Sequence, residues 1–372
     1  MVKILITDAT LLTLSLTQDP VIPEGYIYLK DGRVMAIGEG KPPEELRYPE
    51  LLLSGRGRVV MPGLSSAFTS VTLHPLRFLV DDVDWETVKD FLSMLGRRDV
   101  YYLAGMSFME MMSRGITSAL VTDIFLDDVA RAAREAGFYV TLAPPFNCGL
   151  DDFGPANELK LLMNRWHGKV DEVRAAVLSC REPSQEAVEA ARKYALRLYV
   201  LGPERPVSVE GVETVSINPA TGSGKGVVRY GSSLASWMPE EGLGIGVRPS
   251  YSMLDVVREA SLRSGKHPLD ALYAAAQLNT RLIGLRNAGS LDVGTVASLV
   301  MFNTAEPPSW PAPKDLNSLV KAVVMGELSV ETVVAGDSVL VDSGETLTLG
   351  SDLVRRAREK IEPVLREYLE SK

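Results

Sequence analysis

Short alternating runs open the chain. Val2-Lys3-Ile4-Leu5-Ile6 and Tyr26-Ile27-Tyr28-Leu29 read as half-buried strands. Lys30-Asp31-Gly32-Arg33 precedes Val34-Met35-Ala36-Ile37, and Asp-Gly between two apolar runs is a strong hairpin signal. With Leu51-Leu52-Leu53, residues 1–58 read as a small β unit. From 59 to 285 the pattern changes. Apolar strand runs at 59–68, 116–123, 138–144, 174–180, 197–202, 213–218 and 243–247 are mostly separated by helical stretches such as 127–137, 186–196 and 251–264. That alternation predicts a parallel α/β barrel. Seven strands are counted, where a complete barrel needs eight, so the barrel is expected to be shortened or distorted. Beyond Leu285 the pattern returns to β, at Ala297-Ser298-Leu299-Val300-Met301-Phe302 and in a hairpin over 333–341. Residues 286–350 are expected to join 1–58 in a composite β-sandwich. The proline-rich 307–313 segment cannot be a central strand. Residues 351–372 read as an amphipathic helix, which Pro363 should kink or split.

Composition narrows the classes. A net charge of -9 argues against nucleic-acid and anionic-membrane partners. No apolar run approaches a membrane span, and a strand pattern begins at once after Met1, so a cytoplasmic protein without a signal peptide is expected. Cys148 and Cys180 are too few for a disulfide framework, and their pairing cannot be read from spacing. Only three glutamines (Gln18, Gln185, Gln277) beside abundant Arg, Glu, Leu and Val point to a thermophilic source.

One stretch carries the most information: Val59-Val60-Met61-Pro62-Gly63-Leu64-Ser65-Ser66-Ala67-Phe68-Thr69-Ser70. It resembles the first barrel strand of the amidohydrolase superfamily, in the branch of the chlorohydrolases and the adenosine, guanine and cytosine deaminases. Collinear landmarks extend the resemblance over nearly the whole chain. They include Arg77, the run from Val100 to Thr117, Asn218-Pro219-Ala220-Thr221-Gly222, Ser252-Met253-Leu254-Asp255, Leu278 to Leu285, and Gly289-x-Leu291-x-x-Gly294. Each is weak alone; their shared order is strong. The resemblance implies a (β/α) barrel that hydrolyses carbon–nitrogen bonds of a cyclic amidine or nucleobase-like substrate. The family's chemistry rests on a bound metal, which lowers the pKa of water from about 15.7 to about 7.

The ligand positions that the resemblance implies carry other residues. Phe68 and Ser70 stand for the family's His-x-His pair. Leu201-Gly202-Pro203-Glu204 stands for its His-x-x-Glu, Gly246 for its aspartate, and Ile217 for the histidine before Asn-Pro. Only thirteen residues separate Glu204 from Asn218, too few for the usual helix, strand and helix. Three histidines in all cannot populate such a site. The expectation is no cofactor, with the ancestral zinc or iron site lost, and a non-catalytic binding or regulatory homologue. The alternative is a hydrolase of carbon–nitrogen bonds with a remodelled site, using Glu204 and Asp123 as acid and base, or Cys180 as nucleophile.

Blander roles stand beside these. Glu204 and Asp123 are expected as remnants, solvated or paired with Arg248 or Arg181, and Cys180 as a buried structural thiol. Phe68, Ser70, Cys180, Asn218 and Arg248 are expected to line the old pocket. His74 reads as a loop residue, His167 as a helix-end residue and His267 as a helix start before Pro268. Residues 221–226 lack the Walker spacing and read as a flexible loop at the barrel mouth. A small molecule in that mouth, and a second copy or an active relative, are the partners expected.

Overall fold

The computed structural model describes residues 2–80, 82–307, 309–326 and 328–371; Met1, and Pro308 of the proline-rich segment, lie outside them. Strands from both chain ends hydrogen-bond into one nine-stranded sheet. The Asp31-Gly32 turn joins Val21–Lys30 to Arg33–Glu39, with φ of 51° and 70°, the positive pair that a type I′ hairpin needs. Ile6, Leu29 and Val60 share a core with Leu299, Met301 and Val334, so the sheet curls around apolar residues from both ends.

The apolar run 59–68 is two strands, not the one expected. Arg58–Pro62 lies in the end sheet, antiparallel to Ser298–Asn303, while Leu64–Thr69 pairs with Ile116–Val121 in the barrel. Gly63 is the pivot. A Cβ there would sit 2.5 Å from Thr117 Cγ2 and 2.7 Å from Ser298 Oγ. Both strands are buried, so hydrophobicity carries no mark of the change.

The barrel is a ring of parallel strands. They are Leu64–Thr69, Ile116–Val121, Tyr139–Leu142 continued by Pro145–Phe146, and Val173–Ala175 continued by Val177–Cys180. Leu198–Leu201, Thr214–Ile217, Val227–Arg229 and Gly242–Leu243 follow. Gly246 closes the ring: its N–H donates to Phe68 O (2.9 Å) and its O accepts from Ser70 N (3.0 Å). The count among the described residues is therefore eight, which corrects the expected seven. The overlooked strand, Val227–Arg229, has three residues and ends in arginine, too short for a periodic signal.

The shortened half lacks helices. Residues 202–213 and 218–226 join consecutive parallel strands without one, where such crossovers usually carry a helix. A buried ion pair stands in. Arg229 donates through Nη1 to Pro219 O (3.1 Å), through Nη2 to Gly222 O, and through Nε and Nη2 to the Glu241 carboxylate (3.1 Å each). Glu241 also accepts from Gly224 N (3.2 Å) and Met238 N (3.0 Å). Residues 221–226, expected as a flexible loop, are thus tied at Gly222 and Gly224.

The C-terminal helix Ser351–Glu370 packs on Arg97–Ser113, where Gly105 makes room for Leu353. It runs as one element rather than splitting at Pro363. Pro363 is exposed, so water can meet the carbonyl that its missing N–H leaves free. Among the described residues, no helix is long and apolar enough to cross a membrane.

Candidate functional site

The C-terminal ends of the strands form the mouth of the barrel, the face where barrel enzymes place their chemistry. Strands three to six each pass directly into a residue with positive φ: Asn147 (54°), Arg181 (65°), Gly202 (64°) and Asn218 (48°). Asparagine tolerates that conformation through local hydrogen bonds, whereas arginine has no such help. Asn218 accepts from Tyr230 N (3.0 Å) and donates to Tyr230 O (3.2 Å). It is a brace for the seventh strand.

The centre of the mouth is packed with side chains. Phe68 is fully buried and its ring lies 4.8 Å from that of Tyr230. Ile217 and Leu201 are buried beside this core. At Gly246 φ is 64°, and a Cβ would stand 2.4 Å from the Tyr230 ring. Any side chain there collides with that ring. Sequence reading missed Tyr230 because it follows the unrecognised seventh strand.

These positions do not fit a metal ion. Zinc takes thiolate, imidazole or carboxylate ligands, usually four. Phenyl, isobutyl and sec-butyl groups and a bare glycine offer no lone pair. Ser70 Oγ keeps its lone pairs while donating its hydrogen to Asp123 Oδ1 (2.8 Å), but a single neutral hydroxyl is not among those ligands. Among the described residues, no group of three His, Cys, Asp or Glu is placed to hold a metal.

Asp123 is enclosed. Oδ1 accepts from the Ser70 and Thr72 hydroxyls, and Oδ2 from Val71 N (2.6 Å) and Thr72 N (3.3 Å). Burial pushes its carboxyl up to about 7, while these bonds pull the other way. Four donors around one carboxylate fasten the segment that leaves the first strand. Nearby, Tyr251 donates to Ser70 O (2.6 Å).

His74 is not a free loop residue but a buried one. Arg77 Nη1 lies 3.0 Å from His74 Nδ1. A guanidinium only donates, so Nδ1 accepts and Nε2 carries the proton, given to Glu110 Oε2 at 2.8 Å. Burial would raise the Glu110 carboxyl, but the bonds from His74 and from Tyr251 N hold it below its usual range. Glu110 lies in the last turn of the helix Arg97–Ser113, inside the run from Val100 to Thr117.

The other expected site residues scatter. Glu204 is exposed, its carbonyl accepting from Thr221 N (2.9 Å), and no bond joins it to Asp123 among the described residues. Arg248 pairs with Glu259 (3.1 Å), not with either acid. Cys180 is no free thiol: it forms a disulfide with Cys148, Cα to Cα 5.1 Å. That corrects the reading as a structural thiol and removes the nucleophile while the bond is intact. His167 follows its helix and accepts from Ala175 N (3.0 Å), and His267 caps the helix Pro268–Tyr273. A cavity of about 470 Å³ remains at the mouth, beside the ends of strands three to five. Trp85, Asn147, Arg181, Gly202 and the disulfide line it.

No protein-family profile matches the chain. Its relatives in sequence include two enzymes named 5-methylthioadenosine/S-adenosylhomocysteine deaminase. The one from Thermoanaerobacter pseudethanolicus is 29% identical over 181 residues, which is 45% of this chain and 40% of that protein. The one from Halothermothrix orenii is 23% identical across 99% of this chain and all of its own length. That alignment runs over 443 positions against 372 residues here, so the relative carries segments this chain lacks. In structure, the adenosine deaminase of Xanthomonas campestris with bound zinc has a TM-score of 0.81 at 16% identity, covering 98% of this chain and 99% of that one. The zinc complex of the atrazine chlorohydrolase of Arthrobacter aurescens has a TM-score of 0.79 at 15% identity, covering 96% and 99%. The two structures bear on the fold alone. The chain is amidohydrolase-like in fold, and its resemblance to that superfamily runs from end to end in sequence. The enzymes it resembles are named as deaminases and hydrolases.

Proposed function

We propose that this chain is an amidohydrolase-like binding or regulatory protein that has given up the metal route to carbon–nitrogen hydrolysis. One observation carries the reading. The positions that the resemblance assigns to metal ligands hold Phe68, Ser70, Leu201, Ile217 and Gly246, and Tyr230 packs on Phe68 and against Gly246. The mouth cavity is then the place for a small ligand, and a second copy or an active relative the natural partner. An intracellular protein with a disulfide fits a thermophilic source, since such bonds are otherwise rare in that compartment. Release of ammonia from 5-methylthioadenosine, S-adenosylhomocysteine and a panel of aminated purines, pyrimidines and triazines tests the reading. No turnover is expected, with or without added zinc; turnover with any of them overturns it.

The names of the relatives support a second reading, a deaminase-like hydrolase of carbon–nitrogen bonds with a remodelled site. Its protons would move through groups at the mouth, with Asp123 as the buried acid and Glu204 as the exposed one. Under this reading Asp123→Asn and Glu204→Gln each abolish turnover; turnover that survives both removes these residues from the chemistry.

A further inference from the structure

The opposite, N-terminal face of the barrel holds a cavity of about 480 Å³ that no part of the reading above uses. Val173 lines it, with Arg197 and Glu213 just before the strands Leu198–Leu201 and Thr214–Ile217. Its size is ordinary for a small-molecule site. Its charge is not ordinary for this chain. Lys169, Arg174, Arg197 and Arg286 line it against Asp171 and Glu213, in a molecule whose net charge is -9.

Arg197 gives its two terminal nitrogens to Glu213 and to the carbonyls of Arg281 (2.7 Å) and Leu282, while its buried Nε has no partner among the described residues. Lys169 donates to Asn164 O. Arg174 uses one guanidinium nitrogen on Asp171 O (3.0 Å), and Arg286 has no partner among the described residues. His167 Nδ1 accepts from Ala175 N (3.0 Å), which puts its remaining proton on Nε2, also without a partner. Burial, with Arg174 adding to it, lowers the affinity of His167 for a second proton, so Nε2–H is a neutral donor. The other donors left over are the Arg286 guanidinium, the rest of the Arg174 one, two ammonium hydrogens of Lys169 and the His167 Nε2–H, with the Asp171 carboxylate as the acceptor among them.

We propose that this N-terminal cavity binds the phosphate group of a small phosphate monoester through Arg174, Arg286 and His167. Planar guanidinium forks match phosphate oxygens two at a time. A bare phosphate would leave most of the volume unfilled, so the ester's organic part occupies the rest. The inference is independent of what happens at the barrel mouth.

The test is titration calorimetry on the full-length protein at low salt, with AMP, inorganic phosphate and adenosine as probes. AMP is expected to bind at least ten times more tightly than inorganic phosphate, and adenosine not at all at the same concentrations. Arg286→Gln, at an exposed and unpaired position, should weaken AMP at least ten-fold with the melting temperature of the free protein unchanged. Arg174→Gln should do the same if it folds. Adenosine binding as well as AMP, no binding of AMP at millimolar concentration, or full affinity in Arg286→Gln would each overturn the proposal. Phosphate binding as tightly as AMP would overturn the assignment to an ester.

Discussion

Glu241→Ala is the substitution whose consequence the structure fixes most closely. Glu241 is fully buried and Arg229 nearly so. Removing the carboxylate leaves a guanidinium with no counter-charge out of contact with water, and it unpairs Gly224 N and Met238 N. Breaking one side of a buried pair costs about 3–5 kcal/mol. Replacing both partners, as in Arg229→Met with Glu241→Leu, removes the stranded charge but leaves Pro219 O and Gly222 O without their donor and Gly224 N and Met238 N without their acceptor. Its loss should be smaller, about 1–3 kcal/mol. Guanidinium unfolding at pH 7 gives both values, and the slope must stay constant for the comparison to hold. Hydrogen exchange locates the effect. The amides of Ser216 and Asn218 donate to Gly226 O (2.8 Å) and Val228 O (2.9 Å), so both should lose protection in the single variant. A loss below about 1 kcal/mol, with those amides still protected, would refute the claim that this pair holds the seventh strand in the ring.

Asp123→Ala strands two backbone N–H groups and two hydroxyls and should cost about 3 kcal/mol or more; Asp123→Asn, which keeps an acceptor for both N–H groups, should cost much less. The Asp123 pKa is raised from 3.8 to about 7 by burial, so between those values the folded chain keeps a proton that the unfolded chain has lost. Its contribution is full below pH 3.8 and fades as the pH rises through 7, with a slope of at most one proton. The stability difference between wild type and Asp123→Asn, followed against pH, should show that fall; a flat difference contradicts it. Reducing the Cys148–Cys180 bond, which spans 32 residues, should lower stability by about 3–4 kcal/mol, measured by melting with and without reductant. A thiol count in denaturant should be zero before reduction. Phe68→His with Ser70→His and Gly246→Asp should fail to create a zinc site, because the aspartate would need the left-handed backbone and the space of the Tyr230 ring. That variant should lose about 3 kcal/mol or more, and one bound zinc with unchanged stability would contradict it.

Much of the fold was legible in the sequence. Asp31-Gly32 forces one backbone geometry, and the ordered motifs around Met61-Pro62-Gly63 point to one scaffold. Two features were not. Val227–Arg229 is too short to show a period, and its place in the ring depends on Glu241, a residue that looks like any surface acid. At the candidate site, Phe68 and Gly246 offer no side-chain lone pair wherever they lie, while Ser70 keeps its hydroxyl. What packs on Phe68 was hidden, because Tyr230 meets it only once the ring closes. The same holds for Glu110, found by His74 across 36 positions, and for the disulfide.

Metal content of the untagged protein, by elemental analysis after long dialysis, tests the central claim most directly. The account predicts less than about a tenth of an equivalent, far below what a tight site retains. About one equivalent of zinc, iron or nickel would contradict it and bring the carbon–nitrogen hydrolase reading to the front.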